Sequence, residues 1–300
     1  KINTKNLLKN FDFFKRKNKK TIIAPTIKAN AYGLGDKKIF NLLKKNGCKH
    51  FFIATLEEGI NLNNTNKNIY IYVLNGLQNY DIKLFTKFNL TPIINTIFEF
   101  KKIINCNVKF GLHIDTGINR LGININELPK SIQYEKNLCL VMSHLASADE
   151  KNNNYNKSQL NKFNNIVKKF DKNSNIKFSL ANSNGAILSK KYLFNMIRPG
   201  IGLYGGSNKN KILNEKLKPV ISLSGKIIQI KTINKNEYIG YNQTYKTKTK
   251  IKIAIVGIGY ADGIPRSLSN IGEAYFRKDK YKIIGRISMD SFTIDITKSK

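Results

Sequence analysis

Between residues 21 and about 205, short apolar runs alternate with longer polar segments compatible with helix. The apolar runs predict strands over Ile22–Ala29, Phe51–Thr55, Ile69–Leu74, Leu90–Ile94, Val108–Ile114, Leu138–Ser143, Ile176–Leu180 and Phe194–Ile197. Segments of helical length separate most of them, among them Gly35–Asn46, Gln78–Phe88 and Tyr155–Phe170. Strands alternating with helices predict a parallel sheet. Eight such units over roughly 200 residues fit a (β/α)8 barrel. A doubly wound open sheet shares the local pattern, and unit count alone does not prove closure.

Past residue 215 the texture changes. Ile221–Lys231, Lys250–Val256, Tyr281–Ile284 and Ser291–Ile296 are β-rich runs with little room for helices between them. They predict a smaller, mostly β domain over residues 210–300, after a barrel domain over residues 1–209. The Asn/Lys stretches 61–68 and 151–157 read as solvated loops.

Apolar residues make up 41% of the 300 and aromatic residues 10%, enough to bury a sizeable core. That excludes a disordered chain. The longest obvious apolar run, Ile253–Tyr260, lies between Lys252 and Asp262 and is far short of the roughly 18 residues needed to span a bilayer. Residues 1–14 lack the continuous apolar stretch of a signal peptide. The sequence reads as a soluble, non-membrane protein whose ends are trimmed.

Charge raises one competing function. With 52 basic and 19 acidic residues the net charge is +33, which invites a nucleic-acid or anionic-membrane binder. Only six of the basic residues are Arg, however, and the Lys are spread along the whole chain. Lys, Asn and Ile share A/T-rich codons, so biased composition accounts for the excess without a specific nucleic-acid surface. Such surfaces cluster Arg with exposed aromatics. Cys48, Cys106 and Cys139 form no C-x-x-C pair, and His50, His113 and His144 show no metal spacing. Neither a disulfide framework nor a metal site is expected, and the reduced cytoplasm is the default compartment.

The predicted strand ends carry the chemistry, as barrel strand ends do. The first reads Ile27-Lys28-Ala29-Asn30-Ala31-Tyr32-Gly33-Leu34-Gly35. A lysine inside an apolar strand is costly unless paired, snorkelling, or neutral and in use, for instance as a desolvated amine that forms a Schiff base. The fifth strand ends in His113-Ile114-Asp115-Thr116-Gly117-Ile118-Asn119-Arg120-Leu121-Gly122, the sixth in Ser143-His144-Leu145-Ala146-Ser147-Ala148-Asp149. The seventh gives Asn182-Ser183-Asn184-Gly185 and the eighth Arg198-Pro199-Gly200-Ile201-Gly202-Leu203-Tyr204-Gly205. Each fragment alone is a turn signal. Small polar residues and glycines after the last two strands would also point backbone N–H groups at a phosphate.

Taken in order with Gly257–Arg266 and Gly285–Asp290, these motifs resemble alanine racemase over nearly the whole chain. That family uses pyridoxal 5'-phosphate (PLP) and joins an N-terminal barrel to a C-terminal β domain. The resemblance implies that Lys28 binds PLP covalently and that Lys28 and Tyr241 are the two catalytic bases. It implies that Arg198 faces the pyridine nitrogen with His144 in support, and that Tyr32, Ser183, Gly200 and Ile201 hold the phosphate. Arg120 and the Met289 backbone correspond to contacts of the substrate carboxylate, and Asp149, Tyr260, Arg266 and Arg286 to the corridor by which substrate arrives. The expected reaction interconverts L- and D-alanine, supplying D-alanine for peptidoglycan, in a cytoplasmic homodimer whose sites are shared between subunits.

Racemisation explains these residue types. The Cα–H is acidified by conjugation to an electron sink, and its proton returns on the opposite face. Lys28 would serve the D-enantiomer's proton and Tyr241 the L-enantiomer's. A tyrosine needs cationic neighbours to act as a base near neutral pH. An arginine against the pyridine nitrogen does not protonate it, which weakens the sink and limits side reactions.

Two departures from the family stand out. The family often has a lysine where this chain has His113, and that lysine's carbamate orients the neighbouring arginine. Histidine forms no stable carbamate, so Arg120 needs another partner. The family's β domain also continues past the position of Lys300 and supplies a further phosphate-contacting tyrosine, so a truncated sequence is expected. The alternatives are a racemase of serine or lysine on the same scaffold and a PLP-binding protein impaired in catalysis. A single-barrel PLP homeostasis protein lacks the β-rich tail and the Tyr241 motif. PLP decarboxylases on related barrels use a cysteine acid outside the barrel, whereas all three cysteines here fall within it.

Overall fold

The computed structural model describes residues 1–17, 19–170, 176–206 and 211–299. Two compact units divide the chain, one formed by Ile2–Ile221 and the other by Lys1 with Ser222–Lys300. The division expected at 209/210 lies outside the described residues, as does Lys300. The units part later than that because Leu213, Leu217 and Val220 are buried in the core of the first.

The first unit contains eight short strands: β1 (Ile22–Ile23), β2 (His50–Ile53), β3 (Tyr70–Val73), β4 (Leu90–Ile94), β5 (Phe110–His113), β6 (Leu138–Met142), β7 (Lys177–Ser179) and β8 (Met196–Ile197). β2 to β7 form one parallel sheet in sequence order, and β1 pairs in parallel with β8. Backbone bonds join the two pieces. The Ile27 N–H donates to Phe52 O (2.8 Å), and the Phe52 N–H to Pro25 O (2.9 Å). At the other seam, the Arg198 N–H donates to Ala181 O (2.9 Å). The ring is therefore closed, which decides between the two architectures left open by the sequence.

Period-two alternation then sorts the side chains. Ala24, Phe52, Tyr72, Ile93, Leu140, Met142 and Met196 fill the barrel interior. Their neighbours Phe51, Ile53, Ile71, Val73 and Val141 point outward into a larger core shared with the helices. Helix Asp36–Lys45 contributes Ile39, Phe40 and Leu43, and helix Asn154–Phe170 contributes Leu160, Phe163, Ile166 and Phe170. These spacings of three and four place each set on one helical face. The expected helix over Gln78–Phe88 is shorter, Ile82–Lys87, because Gln78 takes a left-handed φ of 48° and Asp81 caps the helix start through the Lys83 N–H. The stretch 151–157 is loop only as far as residue 153.

The second unit is a five-stranded antiparallel sheet in the order β13–β14–β15–β12–β9. Its strands are β9 (Ile227–Ile233), β12 (Ile251–Val256), β13 (Glu273–Phe276), β14 (Asp279–Ile284) and β15 (Phe292–Asp295). Two short strands, β10 (Tyr238–Ile239) and β11 (Tyr245–Lys246), pair separately. The β-rich run expected from Ile221 starts later, since Ile221 bridges to Ile2 in the first unit. Among the described residues, no helix is long and apolar enough to cross a membrane.

Candidate active site

Past β1 the chain makes one further bridge to β2, at Thr26–Phe52, and reverses hand after Ile27. Ala29, Asn30, Ala31 and Tyr32 all take left-handed backbone angles, with φ between 53° and 56°. For L-residues that conformation costs roughly 1–2 kcal/mol each and persists only where neighbours hold it. Ala31 is fully buried and donates its N–H to Ile27 O (2.8 Å). Asn30 Oδ1 accepts the Asp36 N–H (3.0 Å), which seats the following helix. The Tyr32 ring packs against Tyr204, 4.6 Å between centroids. Lys28 thus stands at the mouth of this turn rather than inside a strand, half-buried, with its side chain facing a cavity.

The cavity has a volume of about 450 Å³ and opens at the C-terminal ends of the barrel strands. Lys28, Arg120 and Arg198 bring three cationic side chains to its wall, and no carboxylate lines it among the described residues. Burial pulls the Lys28 amine below the ordinary lysine range, Arg120 adds to the effect, and Glu58 opposes it. Desolvation and like charge both act against the protonated form of the amine.

Arg198 forms the floor. It is 4% exposed and donates to Ser179 Oγ and to Ser143 O (2.6 Å). Its guanidinium also lies 5.8 Å from the Phe52 ring centre. Arg198 Nη2 is 3.3 Å from His144 Nδ1. Arginine has only donors, so that histidine nitrogen is the acceptor. Burial first, then Arg198 and Arg120, hold His144 well below the ordinary imidazole range, consistent with a neutral ring. Burial and Arg120 push Arg198 itself down to about 9, which leaves it protonated at neutral pH.

One wall is a glycine-containing cradle built from the loops after β7 and β8. Ser183 Oγ accepts from Gly200 N–H (2.9 Å) and Gly202 N–H (3.1 Å), tying the loop after β7 to the loop after β8. A Cβ on Gly200 would run into the Tyr32 hydroxyl, so this approach requires glycine. Asn184 Oδ1 is buried beside the cradle without a hydrogen-bond partner. Ile201 completes the rim. A cradle that a side chain would fill and the basic side chains of Lys28, Arg120 and Arg198 fit a phosphorylated, anionic cofactor such as PLP.

All the barrel residues expected at the cofactor or the substrate carboxylate line this one cavity: Lys28, Tyr32, Arg120, His144, Ser183, Arg198, Gly200 and Ile201. Asp149 lies in the loop after β6 and is not among its lining residues. Tyr241, Tyr260, Arg266, Arg286 and Met289 belong to the second unit, where they are gathered on neighbouring loops. A Cβ on Gly240 would come 2.7 Å from the Arg286 nitrogen, so the Tyr241 turn lies directly against Arg286. The Tyr260 N–H donates to Ser288 O (3.1 Å) and the Ala261 N–H to Met289 O (3.0 Å). Ser269, three residues past Arg266, accepts the Ile287 N–H (3.1 Å). Tyr241 is 66% exposed, and Tyr260 and Met289 are exposed beside it.

Residues that brace the site escaped the sequence reading. Gln159, on helix Asn154–Phe170, accepts the Ala146 N–H (2.8 Å) and donates to His144 O (2.9 Å) and Thr116 Oγ1 (3.2 Å). Its signal is a polar residue set, with Asn156, on the helix face that also carries Leu160, Phe163 and Ile166. His113 is 4% exposed and its Nδ1 lies 2.9 Å from Asn95 Oδ1. Asn95 Nδ2 donates to Leu74 O and Ile93 O, which fixes Oδ1 as acceptor and Nδ1 as the protonated nitrogen of His113. The other nitrogen, Nε2, is buried without a partner.

Sequence comparison matches residues 2–208 to the alanine racemase N-terminal domain and residues 220–300 to the alanine racemase C-terminal domain. The chain is 37% identical to the alanine racemase of Rickettsia rickettsii, over 99% of this chain and 84% of that one. Identity to the enzyme of Rickettsia typhi is 34%, over 92% and 81%. Among solved structures, alanine racemase from Bartonella henselae with covalently bound pyridoxal phosphate superposes with a TM-score of 0.92 at 30% identity, covering all of this chain and 86% of that one. Alanine racemase from Bacillus anthracis with bound L-Ala-P gives 0.84 at 28% identity, covering 98% and 80%.

Proposed function

Since this chain belongs to the alanine racemase family of PLP-dependent enzymes, we propose that it interconverts L- and D-alanine by two-base proton transfer between Lys28 and Tyr241. The observation that carries the reading is the convergence of an amine of lowered proton affinity, a buried arginine and an anion cradle on one cavity.

When bound, PLP supplies an electron sink that acidifies the Cα–H of the amino acid. Ser183, Tyr32, Gly200 and Ile201 would hold its phosphate. Arg198, fixed by Ser143, Ser179 and His144, holds its own proton more tightly than a pyridine nitrogen would, so it would donate a hydrogen bond to the ring nitrogen without protonating it. Arg120 and the Met289 backbone would contact the substrate carboxylate. Lys28 would move the Cα proton on the D face and Tyr241 on the L face. Asp149, Tyr260, Arg266 and Arg286 would line the corridor by which alanine arrives.

The exposure of Tyr241 and its neighbours supports a homodimer in which Tyr241 of the partner subunit completes each site. The three free cysteines agree with a cytoplasmic enzyme, and its product D-alanine would go to peptidoglycan. Incubation of the purified chain with PLP and L-alanine, followed by chiral analysis, tests the reading. Accumulation of D-alanine, absent for Lys28→Ala, is expected; equal conversion by that variant would overturn it. Faster conversion of L-serine or L-lysine would assign the broader specificity instead.

A further inference from the structure

Two glutamates repeat one device around the barrel. Thr55 and Thr96 each cap a helix, accepting the N–H of Glu58 (3.4 Å) and Glu99 (3.1 Å) three residues on. Each glutamate then turns back toward the strand end before its helix. Glu58 Oε2 accepts the Ala54 N–H (2.7 Å), and Glu99 Oε2 accepts the Asn95 N–H (2.9 Å). The second oxygen of each reaches the preceding loop. Glu99 Oε1 takes the N–H groups of Leu77 (2.7 Å) and Gln78 (3.2 Å). Glu58 Oε1 takes the N–H of Ala29 (2.6 Å).

The two braces differ in what they hold. Glu99 secures a loop without a reactive side chain. Ala29 directly follows Lys28 and is the first of four left-handed residues, a conformation that needs holding. The charged and titratable groups facing Lys28 are Arg120, from the loop after β5, the buried His144 beyond it, and Glu58. Arg120 and burial lower the amine's proton affinity, and Glu58 is the group that raises it.

We propose that Glu58 is the positioning residue of Lys28: one oxygen pins the left-handed turn that carries the lysine, and the carboxylate sets a negative charge beside an otherwise cationic site. This rests on the reading of Lys28 as the reactive amine. The pinned turn fixes the direction in which the amine leaves the backbone, and the charge limits how far it is discharged by its cationic surroundings.

The test reads Lys28 without cofactor or turnover. Competitive acetylation of the apo chain with acetic anhydride, resolved by peptide and followed across pH, gives a midpoint for Lys28 against exposed lysines such as Lys38. In Glu58→Gln that midpoint is expected to fall by about 0.5–1 pH unit, because a raising charge is removed. Glu58→Asp keeps the charge and should stay nearer to wild type. Glu99→Gln, which breaks the same brace two βα units on, should leave the Lys28 midpoint in place. Equal midpoints for wild type and Glu58→Gln, or equal shifts in Glu58→Gln and Glu99→Gln, would overturn the proposal. Should Glu58→Gln fail to fold, the Asp variant decides: a midpoint displaced as far as about 1 unit with the charge retained contradicts the electrostatic role. PLP titration of the wild type separates the two readings, since a missing visible band there fails the function and leaves the acetylation result standing.

Discussion

The hydroxyl of Ser183 accepts the backbone N–H of Gly200 at 2.9 Å, joining the loops that follow the last two barrel strands. Gly202 donates to the same oxygen at 3.1 Å. Replacing Ser183 by Ala leaves two buried donors without their acceptor, at a cost of roughly 1–3 kcal/mol. Urea unfolding should therefore show a lower midpoint for Ser183→Ala, and PLP titration a weaker affinity. Unchanged affinity would remove this pair of loops from the cofactor site.

Gly200 and Tyr32 form a second linked pair. An alanine at 200 collides with the Tyr32 hydroxyl, so the ring must swing out of the cradle. PLP binding by Gly200→Ala should weaken by about tenfold or more. Tyr32→Phe removes the colliding atom, so the double variant should bind no worse than Tyr32→Phe alone. Additive losses in that double-mutant cycle would contradict the steric account.

His113 gives the apo protein a pH dependence of known sign. Burial, Arg198 and Arg120 push its imidazole down to about 4 from the ordinary 6.5. Above pH 6.5 the ring is neutral in both the folded and unfolded chain, so it adds no slope. As the pH falls below that value the unfolded chain takes up a proton that the folded site refuses. Stability is thus lost progressively until the pH reaches about 4, and by pH 5 the loss from this one group is about 2 kcal/mol. Urea midpoints at pH 7 and pH 5 should differ less for His113→Gln than for wild type. An identical difference in both would place the titration elsewhere.

Much of the barrel was legible because its strands are apolar runs and its helices have apolar faces at fixed spacing. Helix Thr4–Lys17 carries the same signal, with Leu7, Phe11 and Phe14 buried on one face, but lies outside the alternating region and was not anticipated. The barrel side of the site was legible from strand-end motifs, whose residues the closed sheet brings to one cavity. The left-handed turn after Lys28 was not, because Ala29 and Ala31 have no intrinsic preference for positive φ. Tertiary bonds impose it. The braces Glu58, Glu99 and Gln159 were hidden for a related reason. A Thr-x-x-Glu pattern announces a helix start, whereas which neighbouring loop the carboxylate reaches depends on the closed ring. Hairpin β13–β14 was only half visible, since Glu273–Phe276 is mostly exposed and lacks an apolar run.

The most direct test of the proposed mechanism is Cα–H exchange in D₂O with PLP present, begun separately from L-alanine and from D-alanine. Wild type should incorporate deuterium from both and accumulate the opposite enantiomer. In Tyr241→Phe, exchange from L-alanine should be lost while D-alanine still exchanges slowly through Lys28, with no net racemisation. Loss of exchange from D-alanine alone, or racemisation at the wild-type rate in that variant, would contradict the assignment of the two bases.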